Sequence, residues 1–226
     1  MRNVLAAATA AALLLLSSTP FAQQESDEAR RVREAATVFD EIMRAADSAI
    51  PDAILGNADG IAVFPGTVRA GFIVGGLRGR GILSSKREGV WSSPAFLTMT
   101  GGSFGLQIGG QAADVILVIN DERGLAQLVS NQFTLGADAA VAAGPVGRDA
   151  KAATDLQLRA QILSYSRARG VFAGITINGS TVRQDLDANE RFYGKRLETK
   201  QIVFERLAGT PEPVSTWLSA LNRYAR

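Results

Sequence analysis

The chain has 226 residues, 46% of them hydrophobic, with 24 Lys and Arg against 22 Asp and Glu for a formal charge of +2, and it contains neither histidine nor cysteine. That composition excludes Ser-His-Asp and Cys-His nucleophilic sites, histidine acid–base chemistry near neutral pH, and zinc sites built on His or Cys. It also excludes disulfides, so a packed core must hold the fold, which this length supports as one domain or at most two; a carboxylate-only calcium or magnesium site stays open.

The N-terminus reads as an export signal. Arg2 precedes the apolar run Val4 to Leu16, and small residues from Ser17 to Ala22 lead into the polar Gln23-Gln24-Glu25. The run is shorter than the roughly 20 apolar residues a bilayer span needs. Cleavage after Ala22 is expected, giving residues 1–22 as signal peptide and 23–226 as the mature chain, periplasmic or secreted. With no cysteine to lipidate, that chain is expected without an acyl anchor, and losing Arg2 leaves it near neutral, so its basic character is local.

From Glu25 to Ile50 the apolar residues Val32, Ala36, Phe39, Met43, Ala46 and Ile50 recur at spacings of four and three, one stripe of an amphipathic helix. Pro51 disfavours helical geometry at Ile50, so the helix is predicted to end there, followed by a short turn through Leu55. The stripe either docks onto the rest of the fold or contacts a membrane or partner. Arg30, Arg31, Arg33 and Arg44 on the remaining faces keep the second reading open.

Gly60 to Gly110 follows, with more than half of the 23 glycines, the cations Arg69, Arg78, Arg80, Lys86 and Arg87, and one acid, Glu88. Its apolar residues come in strand-length runs, and glycine inside strands marks bends or close backbone approach. The expected element is a basic β-body that binds anions, with Arg78, Arg80, Lys86 and Arg87 at the tip of a hairpin between Phe72-Ile73-Val74 and Val90-Trp91. In Gly101 to Gln111 small residues alternate with Phe104, Leu106 and Ile108, a strand with one thin face. Val115 to Ile119 is a buried strand, and Gly136 to Gly144, nearly all Ala, Gly and Val, suits tight packing between layers. Leu156 to Ser164 alternates like a strand with one wet face. Asn178-Gly179 predicts a two-residue hairpin between Val171–Ile177 and Ser180–Arg183. Three helices are also expected: one capped by Asp121, one with a capping box from Asp187 to Glu190 that stops at Gly194, and one starting at Thr210-Pro211 with Val214, Trp217, Leu218, Leu221 and Tyr224 on one side.

Two motif-like strings carry little. Gly101 to Gly105 matches the G-x-S-x-G nucleophile elbow, but that elbow needs a helix after the serine and a histidine to take its proton. Asp185 to Glu190 opens like a calcium loop, yet Glu190 replaces the turning glycine and Arg196 stands where the bidentate glutamate belongs. A helix cap explains it better.

Taken together, an ordered set of strings resembles the SYLF domain family: GIAVFP (60–65), WSSPA (91–95), GSFGLQIG (102–109), TLGAD (134–138), VAAGPVGR (141–148), SYSR (164–167), GVFAG (170–174), and DAN through FYG (187–194). They cover a core of roughly 29–194, ahead of a C-terminal helical tail, and the whole resembles a secreted bacterial member. The resemblance implies an α+β fold with a curved sheet and flanking helices, in line with the residue-level reading of a single domain: a curved, mainly antiparallel β-body, an N-terminal amphipathic helix and C-terminal helices. It also implies lipid binding, since eukaryotic relatives bind phosphoinositides with help from a basic N-terminal helix, and some fungal relatives bind actin. The expectation is a non-catalytic, cofactor-free module that associates peripherally with anionic phospholipid through Arg30, Arg31 and Arg33 on the helix and Arg78, Arg80, Lys86 and Arg87 in the loops. The helix is diluted by Asp27, Glu28, Glu34, Asp40 and Glu41. The alternative is a cell-envelope scaffold that binds a protein or polymer; no nucleic acid is expected as partner.

Overall fold

The computed structural model describes residues 25–45, 49–71, 74–104, 111–130, 132–146, 160–168, 171–174 and 177–226. Among them lie ten strands: β1 (Gly60–Gly71), β2 (Val74–Arg87), β3 (Val90–Trp91), β4 (Ala95–Phe104), β5 (Gln111–Ile119), β6 (Gln132–Thr134), β7 (Val141–Ala143), β8 (Ile162–Ala168), β9 (Val171–Gly174) and β10 (Thr181–Gln184). The sheet runs β6-β10-β4-β2-β1-β5-β8-β7, with β3 added beside β2 and β9 beside β8, and only the β7–β8 pair is parallel.

Its two edges are joined by a very short piece of chain, and this dictates the shape. Leu135, just after β6, donates its N–H to Ser180 O beside β10, while Ala140, just before β7, accepts from Ile162 N of β8. The seven steps from Thr134 to Val141 span at most about 25 Å. Eight strands laid flat would put their edges about 34 Å apart. The sheet therefore curls until its edges approach.

Curling gives the sheet two unlike faces. One face is lined by every strand of the path: Phe133, Val182, Leu97 and Met99, Leu77 and Leu83, Ala62 and Phe64, Val115 to Ile119 at alternate positions, and Ile162, with Val141 packed against them. This interior core is closed at one end by α3 (Glu122–Leu128), through Leu125 and Leu128, and by α5 (Thr199–Val203), through Ile202 and Val203. The opposite face carries Ile61, Val63, Ile82, Phe96, Ile116, Val118, Leu163 and Tyr165. It is covered by α1 (Asp27–Arg44), α4 (Leu186–Tyr193) and α6 (Glu212–Tyr224), with the small helix α2 (Asp52–Gly56) beside them. The fold is thus the expected α+β single domain, a curled and mostly antiparallel sheet with an N-terminal helix and C-terminal helices.

The glycines of β2 belong to this geometry. Gly79 and Gly81 point inward with Leu77 and Leu83, and a Cβ on Gly81 would lie 2.4 Å from Val63 O and 2.5 Å from the Phe64 ring. A side chain there has no room. On the neighbouring β1, the register slips by one residue between Val63 and Val68, a bulge containing Pro65-Gly66. Gly101 likewise turns its thin face inward, with Ser180 2.7 Å from where its Cβ would sit, and Gly144 faces the Tyr165 ring as tightly.

Several expectations change. The first helix ends at Arg44, with Ala45 already extended, and Ile50, though buried, lies outside it before α2. Asn178-Gly179 does turn, Gly179 having φ +81°, but the flanking strands diverge: β9 pairs with β8, whereas β10 inserts between β4 and β6. Among the described residues no hairpin forms there, because β9 pairs with the strand just before it and β10 with strands far earlier in the chain. The cap of α4 is Asp185, whose carboxylate accepts from Ala188 N at 3.1 Å, two residues before the expected Asp187. At Ile162 and Leu163 both faces of β8 are buried, so no wet face exists there. Helix α5, capped by Glu198 with Gln201, was not anticipated. The signal segment, Phe72-Ile73, the strand half from Gly105 to Gly110 and Leu156 to Arg159 lie outside the described residues.

Candidate functional site

Helix α1 forms because Ser26 caps it, accepting from Ala29 N at 3.1 Å, and because its stripe has somewhere to go. Val32, Ala35, Ala36 and Phe39 are at most 4% exposed, packed against the sheet and α6. Of the two readings of the stripe, docking is the one observed.

The helix arginines are occupied. Arg31 is buried; its guanidinium lies 3.4 Å from Asp185 Oδ2 and 5.3 Å over the Phe96 ring. Burial lowers its pKa, Asp185 opposes the shift, and the like charge of Arg80 adds to it. Arg31 is therefore a structural residue rather than part of an exposed basic face. Arg30 pairs with Asp27 at 2.7 Å, and Arg33 with Glu25 at 2.6 Å and Glu212 at 2.8 Å. The buried Glu28 holds Arg191 at 2.8 Å, and Arg167 joins Glu41 to Asp114. This row of ion pairs ties both flanks of α1 to the body.

The four cations expected at a hairpin tip separate. β2 is one 14-residue strand, paired with β1 and β4, so Arg78 and Arg80 stand in mid-strand and not in a loop. The glycines around them provide inward room instead of turns. Lys86 donates to Gly56 O at 2.9 Å and to Ala225 O and Arg226 O at 3.4 Å, and lies 5.5 Å over the Trp91 ring. Desolvation lowers its pKa while Asp59 opposes this. It gathers the carbonyl ends of α2 and α6, which engage all three of its ammonium donors. Arg87 bonds Glu122 and stacks 4.7 Å over Phe204 at the true turn, Glu88-Gly89.

What remains is an uncovered strip of outer sheet. Arg78 and Arg80 are exposed and point outward, opposite in parity to the buried Leu77 and Gly79. Across β4 and β10, Arg80 aligns with Thr98 and then Arg183, and Arg78 aligns with Thr100 and then Thr181. Arg183 is exposed too, and none of the ion pairs among the described residues involves any of these three arginines. Val68, 47% exposed, lies opposite Arg78 on β1, and Gly76 and Gly102 have nothing within 4 Å on their open side. A floor of glycine and threonine thus presents three guanidinium groups whose donors have no partner among the described residues.

Sequence reasoning missed Arg183. Ser180–Arg183 reads as a strand, but the neighbour expected for it is Val171–Ile177, and only pairing with β4 brings Arg183 into line with Arg80 across Thr98. The chemistry of the strip is electrostatic. Gly101 to Phe104 is strand, with no helix following Ser103 inside it, so the nucleophile-elbow geometry is absent there. No group of three or more Asp or Glu placed to hold a metal occurs among the described residues.

Comparison with known proteins places the chain among relatives. Residues 100–224 match the family model described as Ysc84, Las17-binding protein actin regulator. Protein YSC84 of Saccharomyces cerevisiae is 32% identical over 170 residues, covering 74% of this chain and 36% of that protein. LAS seventeen-binding protein 3 of the same species is equally similar, with 37% of it covered. SH3 domain-containing YSC84-like protein 1 of Rattus norvegicus is 29% identical over 200 residues, 87% of this chain and 58% of that protein. The chain therefore spans little more than a third of the yeast relatives and under three-fifths of the mammalian one. With a model matched over more than half its length and relatives aligned across most of the rest, the chain belongs to the Ysc84 family, the family of the SYLF domain.

Proposed function

We propose that this protein is a non-catalytic, extracytoplasmic module that associates peripherally with anionic phospholipid, docking through the open outer sheet. The observation that carries the reading is the trio Arg78, Arg80 and Arg183, exposed on the two strands that flank β4, without a carboxylate partner among the described residues. Elsewhere the arginines of α1 and the end of β2 are engaged internally, so the membrane-facing charge is narrower than the seven expected residues. Each cation held near an anionic surface contributes about 1 kcal/mol, so three together shift partitioning by about a hundredfold. Among the described residues of the strip Val68 is the one exposed large apolar side chain, so association rests on charge and weakens as salt rises.

The test is cosedimentation with vesicles containing phosphatidylglycerol, at low and physiological salt. Wild-type protein is expected to bind at low salt, and an Arg78→Gln/Arg80→Gln/Arg183→Gln variant to lose most of that binding. Equal binding by both moves the site, and binding by neither removes the lipid reading. Export is part of the proposal; mass spectrometry of the extracytoplasmic protein is expected to find a chain beginning near Gln23.

A second reading is a scaffold for a protein partner. It is favoured by the name of the yeast relative, LAS seventeen-binding protein 3, and the same open strip offers an acidic partner its surface.

A further inference from the structure

The three arginines are not a diffuse basic patch; strand register arranges them in two rows. The first row is Arg80, Thr98 and Arg183, and the second is Arg78, Thr100 and Thr181. Within a row the flanking residues stand about 10 Å apart across β4, and the rows are about 7 Å apart along the strands. Each row holds at least one guanidinium, which can fork onto a phosphate, and threonine hydroxyls that can donate beside it. Gly76 and Gly102, open above their backbones, leave the adjoining floor low.

Resting on the lipid reading above, we propose that this strip selects a lipid headgroup carrying two phosphates, one seated on each row, over headgroups carrying one. Cardiolipin has this chemistry: two phosphodiesters joined through a three-carbon bridge, which brings both anions with one molecule. Two single-phosphate lipids can fill the same rows, but each must be localised separately, whereas the second phosphate of a linked pair arrives at high effective concentration. Arg183 sets the selectivity, since it turns the first row from a single cation into a pair that brackets Thr98. The protein then lies on the bilayer by a strand face, with α1 remaining docked.

The experiment compares vesicles of equal formal charge, one set with phosphatidylglycerol and the other with cardiolipin at half the mole fraction, at physiological salt. Wild-type protein is expected to prefer cardiolipin by about fivefold or more. Arg183→Gln is expected to abolish the preference while retaining weaker binding to both. Arg123→Gln, which removes an exposed charge on α3, is expected to keep it. The deacylated cardiolipin headgroup, which carries both phosphates without the curvature effects of the intact lipid, should compete with the vesicles for wild-type protein and not for Arg183→Gln. Equal wild-type affinity at matched charge overturns the two-phosphate site while leaving anionic-lipid binding intact. A preference that survives in Arg183→Gln, or is lost in Arg123→Gln, overturns it as well. Absence of wild-type binding even at low salt overturns both this site and the function it rests on.

Discussion

Replacing Gly81 by alanine tests the placement of the whole β2 strand. A Cβ there meets Val63 O at 2.4 Å and the Phe64 ring at 2.5 Å, far inside ordinary contact. Neither neighbour can withdraw easily. Val63 is in register with Ile82, so moving its carbonyl disturbs the β1–β2 ladder, and Phe64 is fully buried in the interior core. Overpacking of this kind costs about 1–3 kcal/mol, and the backbone contact puts Gly81→Ala at about 3 kcal/mol. Gly76, five residues earlier on the same strand, faces outward with nothing within 4 Å. There alanine relieves the glycine penalty of a strand interior and restricts the unfolded chain, so Gly76→Ala is expected to stabilise by about 0.5 kcal/mol. Urea unfolding followed by tryptophan fluorescence reads both as midpoint shifts at constant slope. Equal shifts for the two variants would refute the inward assignment of Gly81, and with it the outward assignment of Arg78 and Arg80.

Two further outcomes concern charge. Arg31→Met leaves Asp185 facing a buried methionine and is expected to destabilise by about 3 kcal/mol, whereas Arg30→Met, on the exposed flank, should cost under about 0.5 kcal/mol in the same unfolding assay. Asp59 has its pKa raised by desolvation and by Glu122 and Asp121, with Lys86 and Arg87 opposing. The native state thus holds this proton more tightly than the unfolded chain, and stability falls as pH rises from the ordinary 3.8 through the raised folded value. Asp59→Asn is therefore expected to stabilise the protein at neutral pH and to have no such benefit below pH 3.8, which unfolding curves across that range will show. A gain that persists in acid rules out this origin.

Where a feature depended on residues close in sequence, it was legible. The stripe from Val32 to Met43, the apolar run from Val115 to Ile119 and the Asp121 cap all appear as read, because helix period, burial and capping are local properties. The turn at Asn178-Gly179 was local as well, but the partners of β10, which are β4 and β6, were not. Register decides those, and register depends on where the interior core needs Val182. The site suffered from the same limit. Arg30 and Arg31 are adjacent in sequence, yet a helix turns them about 100° apart, one to solvent and one to Asp185. Arg78 and Arg80 were identified by their glycine-rich setting, although the glycines marked inward space and no turn. Lys86 shares their basic, glycine-rich setting in sequence, yet in the fold it binds the carbonyl ends of two helices.

The insertion of β10 between β4 and β6 also orders events during folding. Val182 pairs with Met99, 83 positions earlier, and with Phe133, 49 positions earlier, so a four-residue segment near the end of the domain joins pieces made long before. Until Thr181–Gln184 has left the ribosome, β4 and β6 have no mutual partner and each keeps an unpaired edge. Such distant pairings close slowly, because the entropy of looping the chain is lost before the contacts reward it. A nascent chain stopped before Thr181 thus exposes the strand edges that invite pairing with another chain, and the last strand added serves as the latch that ends that exposure.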